Sequence, residues 1–183
     1  KKTLIPTSAK RHRPPTAKQL RASWDATRAT VSAEYIKDWW LLGPFKSPTA
    51  GKISLEFAPV AECKLLTGQW KSAGKWKIAS ADSRGTVSLD QAFGQVEWAV
   101  AYGYAEITSI HARDCELSCG SDDGIKIWLN GKVIHENEIS RRYTASSDKV
   151  TIHLNAGVNQ LLVKIDNYRG SWSFGIGIPK ANF

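Results

Sequence analysis

The feature that most constrains this chain is a series of apolar segments with period two in its C-terminal third, each closed by turn residues. Ile125-Lys126-Ile127-Trp128-Leu129 turns Ile125, Ile127 and Leu129 to one side, and Asn130-Gly131 then supplies the two positive-φ positions of a type I′ hairpin into Lys132-Val133-Ile134. Val150-Thr151-Ile152-His153-Leu154 alternates in the same way, turns over Asn155-Ala156-Gly157 and returns as Gln160-Leu161-Leu162-Val163-Lys164-Ile165. In the last segment Trp172, Phe174, Ile176 and Ile178 alternate with Ser173, Gly175 and Gly177. A 3.6-residue helical period produces none of these patterns, so the region must pair as strands with one face buried.

The same grammar runs back to Asp38. Trp39-Trp40-Leu41-Leu42-Gly43-Pro44-Phe45 reads as a strand closed by Gly-Pro, and Ile53-Ser54-Leu55-Glu56-Phe57 alternates before Pro59. Thr86 to Leu89, Glu106 to Ile110 and Glu116 to Cys119 are short strand candidates, and Val96 to Tyr102 places Val96, Trp98, Val100 and Tyr102 on one face. Roughly nine or ten short strands with few helix signals predict an all-β fold, an antiparallel β-sandwich, over residues 38–183. Residues 1–37, broken by Pro14-Pro15, read as a basic linker or tail, with helix-like spacing of Leu20, Trp24, Thr27 and Val31 marking a short helix within Thr16 to Glu34.

Charge separates the two parts. The chain of 183 residues carries a formal net charge of +8. Nine Lys and Arg against Asp25 and Glu34 put +7 of it in residues 1–37, and the other 146 residues carry +1. A nucleic-acid face on the sandwich is therefore not expected, and nucleic-acid binding would have to come from the tail. No apolar run approaches the ~20 residues of a membrane helix. The sequence starts at Lys1 and contains no Met, so it is expected to be a processed chain or a piece of a longer one. Of the cysteines, Cys115 and Cys119 on one strand would sit about 13 Å apart at ~3.3 Å per residue, beyond disulfide reach, which leaves a bridge from Cys63 to either of them open.

No catalytic constellation is evident. The four histidines, His12, His111, His135 and His153, lack metal-ligand spacing, and neither a nucleophile elbow nor a phosphate-cradling loop is present. Glu136 and Glu138 lie on one side of an extended segment and read as a solvated loop rather than a glycosidase pair.

Binding residues are easier to nominate. Gly120-Ser121-Asp122-Asp123-Gly124 sets two carboxylates at a loop tip, which suits Ca²⁺ or paired sugar hydroxyls, although such a run more often makes an ordinary turn. Asp166 and Asn167, at the end of another strand, add oxygens if the two loops meet. Arg141 and Arg142 offer forked donors beside Tyr143, either to a ligand or to an internal salt bridge. Among eight tryptophans, parity assigns Trp98 to the core, leaves Trp172 between core packing and a loop with Tyr168 and Arg169, sets Trp128 outward or against a loop, and makes Trp70, between Gly68 and Gly74, an exposed loop aromatic.

The run from Gly120 to Asn167, with its Asp-Asp-Gly, a strand ending in Asn-Gly-Lys, a loop, and Ala-Gly-x-Asn leading to Leu-Leu-Val-Lys, resembles the galactose-binding-like jelly rolls. It is similar to the sugar-binding domain of β-galactosidases and β-glucuronidases, and its Asp-Asp-Gly resembles that of the protective-antigen-type sugar-binding domains. The Trp-Trp-Leu-Leu-Gly-Pro-Phe opening and the Gly-Ser-Trp-Ser-Phe-Gly ending look like accessory sandwiches of bacterial secreted proteins. The resemblance implies a noncatalytic carbohydrate-binding module of a larger extracellular or envelope protein, with neighbouring domains of the same chain as partners. The protective-antigen-type likeness implies Ca²⁺ and sugar on Asp122 and Asp123, whereas the β-galactosidase-type likeness implies no metal site. From its place at a strand end Asn167 is a candidate third ligand, and from their own chemistry Arg141, Arg142, Tyr168, Arg169, Trp172 and Trp70 are candidates to complete a sugar site. The alternative is a structural or protein-interaction spacer packed on a catalytic neighbour.

Overall fold

The computed structural model describes residues 28–30 and 35–178. In chain order the strands and helices are β1 (Arg28–Thr30), β2 (Asp38–Lys46), α1 (Val60–Leu66), a 3₁₀ turn (Trp70–Ser72), β3 (Lys77–Ser80), β4 (Val87–Ser88) and α2 (Leu89–Phe93). There follow β5 (Ala99–Ser109), β6 (Arg113–Asp122), β7 (Ile125–Leu129), β8 (Lys132–Asn137), β9 (Asp148–Leu154), β10 (Gly157–Asn167) and β11 (Ser173–Gly177). One sheet runs β3-β2-β5-β10-β7-β8, with β1 added parallel to β5 at Glu106 to Thr108; the other runs β4-β11-β6-β9. The remaining pairings are antiparallel, and the two sheets face each other as the expected β-sandwich.

The hairpin forms as its turn chemistry dictates, Asn130 at φ 50 and Gly131 at φ 79, with Trp128 opposite Val133 and Leu129 opposite Lys132. Several segments depart from expectation. Glu106 to Ile110 and Glu116 to Cys119 are the ends of the long strands β5 and β6 rather than separate short ones. Ile53 to Phe57 is a turn instead of a strand, because Ser54 Oγ accepts from Glu56 N (3.0 Å) and Ser54 O from Phe57 N (2.9 Å). Leu89 opens α2, capped by Ser88 Oγ accepting from Gln91 N. Of the segment read as a tail, Arg28–Thr30 is a strand rather than part of a helix, Tyr35 bridges Gly177, and Ile36 N donates to Ile176 O at 2.9 Å. The rest of the helix expected between 16 and 34 lies outside the described residues.

Most consequential is that the larger sheet is buried on both faces. Its inner face meets the second sheet through Trp39, Leu41, Ala101, Ile107, Ile127, Val163 and Ile165, against Phe174, Ile176 and Leu117. Its outer face carries Trp40, Leu42, Val100, Tyr102, Tyr104, Trp128 and Leu162, roofed by Ile53, Ala61 and Leu65 from the segment between β2 and β3. Small residues on the inner face of β5 make room for the ring pair Trp39 and Phe174 (4.9 Å, 84°); a Cβ on Gly103 would lie 2.9 Å from Phe174. Burial of a side chain such as Phe174 contributes roughly 1.5–3 kcal/mol. The roof is pinned by the fully buried Lys164, whose Nζ donates to Leu55 O (2.6 Å) and pairs with Glu62 Oε2 (2.8 Å), which also accepts from the Tyr102 hydroxyl.

All three cysteines are free thiols, Cys63 on α1 over the larger sheet and Cys115 and Cys119 on β6 of the other, so no bridge to Cys63 forms. No helix among the described residues is long and apolar enough to cross a membrane.

Candidate functional site

The turn after β6 and the end of β10 meet at one end of the sandwich, which answers the question left open by the sequence. Asp123 N donates to Asp166 O (3.1 Å), Asp166 N to Gly124 O (3.2 Å), and Gly124 N to Asp166 Oδ1 (2.5 Å). A Cβ on Gly124 would come within 2.9 Å of that carboxylate, so the close approach requires glycine. The Asp123 carboxylate is the hub: Oδ1 accepts from Ser140 Oγ (3.1 Å) and Arg141 N (3.0 Å), and Oδ2 from Tyr168 N (2.8 Å).

The carboxylates crowd one another. Burial, reinforced by the Asp123 charge, pushes Asp122 up to about 6. Burial, opposed by the Gly124 N–H and reinforced by Asp123 and Glu138, pushes Asp166 up to about 7. Asp166 Oδ2, Asn167 Oδ1 and Asp90 Oδ1 are buried without a hydrogen-bond partner, although Asn167 Nδ2 donates to Val96 O and Asp90 Oδ2 accepts from Trp172 N. Hard oxygens left unsatisfied beside concentrated negative charge are the donor type a Ca²⁺ ion takes. Among the described residues, no three acidic, imidazole or thiol ligand atoms that include Asp122 or Asp123 lie within 4.8 Å of one another, so any further ligands there must be amide or backbone oxygens.

Beside this hub opens a cleft of about 550 Å³ lined by Pro48, Lys52, Ile53, Phe57, Trp98 and Tyr168, among others. Trp98 and Tyr168 meet edge to face at 5.9 Å, and the Arg169 guanidinium lies 5.2 Å over the Trp98 ring. Trp98 sits at φ 55, a conformation that bulky residues rarely adopt; it is held there by its N–H to Tyr168 O (3.2 Å) and by Ser47 N to its carbonyl (2.8 Å). Two aromatic planes, a lysine and hydroxyl-bearing Ser47, Thr49 and Ser54 make a surface able to stack on a ring and hydrogen-bond to its substituents.

The residues nominated from sequence divide. Asp123 meets Tyr168 directly, Asp122 lies close enough to Asp123 to feel its charge, Arg169 lies over Trp98 and the Asn167 amide donates to Val96 O; Arg142 is exposed, its charge opposing the upward shift of Asp122. Arg141 makes the internal salt bridge that its sequence context left open: its fork grips Asp148 (3.1 and 2.6 Å) and Ser121 Oγ (2.9 Å). Trp172 is fully buried near Phe93, which removes it from any stacking surface. Trp70 stacks on Tyr104 at 5.3 Å, and Tyr104 lies opposite Leu162, about 17 Å along β10 from Asn167 at ~3.4 Å per residue, so it belongs to another region. Trp128 is buried on the outer face of the sheet. Trp98, Lys52 and Phe57 were missed. Gly94, at φ 78, ends α2 and opens a loop, and the strand starts only at Ala99, so the alternation assumed back to Val96 does not reach Trp98.

The fold and this end site define an all-β sandwich with an acidic loop hub beside an aromatic cleft. No protein-family model matches the sequence, and no curated protein matches it. Among solved structures, part of the chain is similar to Ruminococcus gnavus β-glucuronidase (11% identity, TM-score 0.47, covering 80% of this chain and 29% of that one). It is similar to Kluyveromyces marxianus β-glucosidase (11%, TM-score 0.44, 80% and 16%) and to a family 35 carbohydrate-binding module from Clostridium thermocellum (14%, TM-score 0.32, 46% and 84%). The chain spans less than a third of the two enzymes. These are partial likenesses of architecture and assign no ligand.

Proposed function

We propose that this chain is a noncatalytic carbohydrate-binding domain that takes a sugar ring in the cleft between Trp98, Tyr168 and Phe57. The observation that carries this reading is Trp98, held at φ 55 so that its indole faces Tyr168 in an open cleft. The Lys52 ammonium and the loop hydroxyls would donate to ring substituents, and Asp123 fixes Tyr168 from behind.

The second part of the proposal is a Ca²⁺ ion on Asp122, Asp123 and Asn167. The all-oxygen donor set, the orphaned Asn167 Oδ1 and the Asp122 carboxyl, raised by burial and by the neighbouring Asp123 charge, support it. When bound, the ion supplies charge that neutralises the hub. A place in a larger extracellular or envelope protein belongs to the same proposal and rests on the sequence resemblance.

Calorimetric titration of a glycan panel against the full chain, with and without chelator, tests both parts. Binding that falls at least tenfold in Trp98→Ala and persists in Trp70→Ala is expected. Wild-type affinity in Trp98→Ala overturns the cleft, and no thermal shift on adding Ca²⁺ overturns the ion. Binding of no glycan at all leaves the sandwich as a spacer.

A further inference from the structure

A second polar cluster lies at the open edge of the sandwich, apart from the cleft. There β8, the edge of the larger sheet, faces β9, the edge of the smaller. Cys119 and Asp148 sit directly opposite each other in the β6–β9 register, and His135 reaches them from β8. The thiol sulfur, one imidazole nitrogen and one carboxylate oxygen lie within 4.8 Å of one another. Tetrahedral ligation by sulfur, nitrogen and oxygen places ligand atoms about 3.5 Å apart, which the cluster reaches with a contraction of no more than about 1.3 Å.

The surroundings are those of a supported ligand set. Asp148 is held by Arg141 Nη1 and Nη2 and by Asn137 Nδ2 (3.2 Å), as ligating carboxylates are usually held by outer donors. His135 Nε2 stands 3.3 Å from Asp148 Oδ2, so an imidazole nitrogen and a carboxylate oxygen already sit at about the separation of two ligands on one tetrahedral ion. A thiol, an imidazole and a carboxylate together exclude the all-oxygen preference of Ca²⁺ and Mg²⁺ and match Zn²⁺.

We propose that Cys119, His135 and Asp148 form a binding site for a borderline-soft divalent cation of the Zn²⁺ class, clamping the edges of the two sheets together. The site is separate from the proposed Ca²⁺ hub and stands or falls independently of it. Its rival is a protonated His135 paired with Asp148 and no metal.

Co²⁺ serves as the optical probe, added to the reduced full chain. One equivalent is expected to give a thiolate-to-metal charge-transfer band that Zn²⁺ abolishes by displacement and that excess Ca²⁺ leaves unchanged. Cys119→Ser removes the band, Cys63→Ser and Cys115→Ser keep it, and His135→Gln weakens Co²⁺ binding at least tenfold. Absence of the band at equimolar Co²⁺, or its loss with Cys63→Ser, overturns the proposal. Should Cys119→Ser fail to fold, unchanged affinity in His135→Gln does the same.

Discussion

The amide of Tyr168 donates to Asp123 Oδ2 at 2.8 Å, and through that bond the acidic turn after β6 sets the position of an aromatic ring in the cleft. The other Asp123 oxygen holds the Ser140–Arg141 loop. One carboxylate thus joins two loops that sequence analysis could only treat separately.

Replacing it tests that link. Asp123→Asn keeps one oxygen acceptor and leaves either Tyr168 N or the Ser140 and Arg141 donors unanswered. A buried hydrogen bond to a charged group is worth about 1.5–3 kcal/mol, so chemical denaturation should show a loss of about 2 kcal/mol. Crystallography of the variant should show Tyr168 displaced from Trp98.

Gly103→Val tests the inner face of β5. The added side chain meets Phe174 and Val163 at 2.9 Å and Trp39 at 3.2 Å, ring and branched groups with no free space behind them. Overpacking of this kind costs about 1–3 kcal/mol, to be read as a lowered denaturation midpoint with an unchanged slope.

The roof over the outer face depends on a buried ion pair. Glu62→Gln leaves Lys164 charged and fully buried, and should destabilise by about 3–5 kcal/mol. The double variant Lys164→Met with Glu62→Leu removes both charges and should regain most of that loss. A double variant no more stable than Glu62→Gln would show that the pair contributes more than charge compensation.

The raised carboxylates give a pH dependence with a defined sign. Asp122 at about 6 and Asp166 at about 7 bind protons more tightly folded than unfolded, so their contribution is full below about pH 4 and is lost as pH rises through 6 to 7. In chelator, thermal stability attributable to these groups should therefore fall from pH 5 to pH 8. Asp166→Asn should flatten that fall.

Several elements were legible because local chemistry decides them. Asn130-Gly131 fixes the hairpin, and Asp122-Asp123-Gly124 marks the bend between β6 and β7. Ile53 to Phe57 misled because its alternation reflects Ile53 and Phe57 packed against the sheet below them and a buried Leu55, while Ser54 closes its backbone into a turn. Trp172 misled because its neighbours Tyr168 and Arg169 are loop residues, although its own parity with Phe174 and Ile176 already pointed inward.

The sequence by itself determined that this chain pairs mainly as antiparallel strands, where the Asn130-Gly131 hairpin turns, and that the excess of basic charge lies in its first 37 residues, since alternation, turn residues and charge are local properties. Only the tertiary structure decided which side of the larger sheet each aromatic serves. That sheet is covered on both faces, so period two no longer separates buried from exposed. It places Trp98 in a cleft and Trp172 in the core through contacts between segments dozens of residues apart.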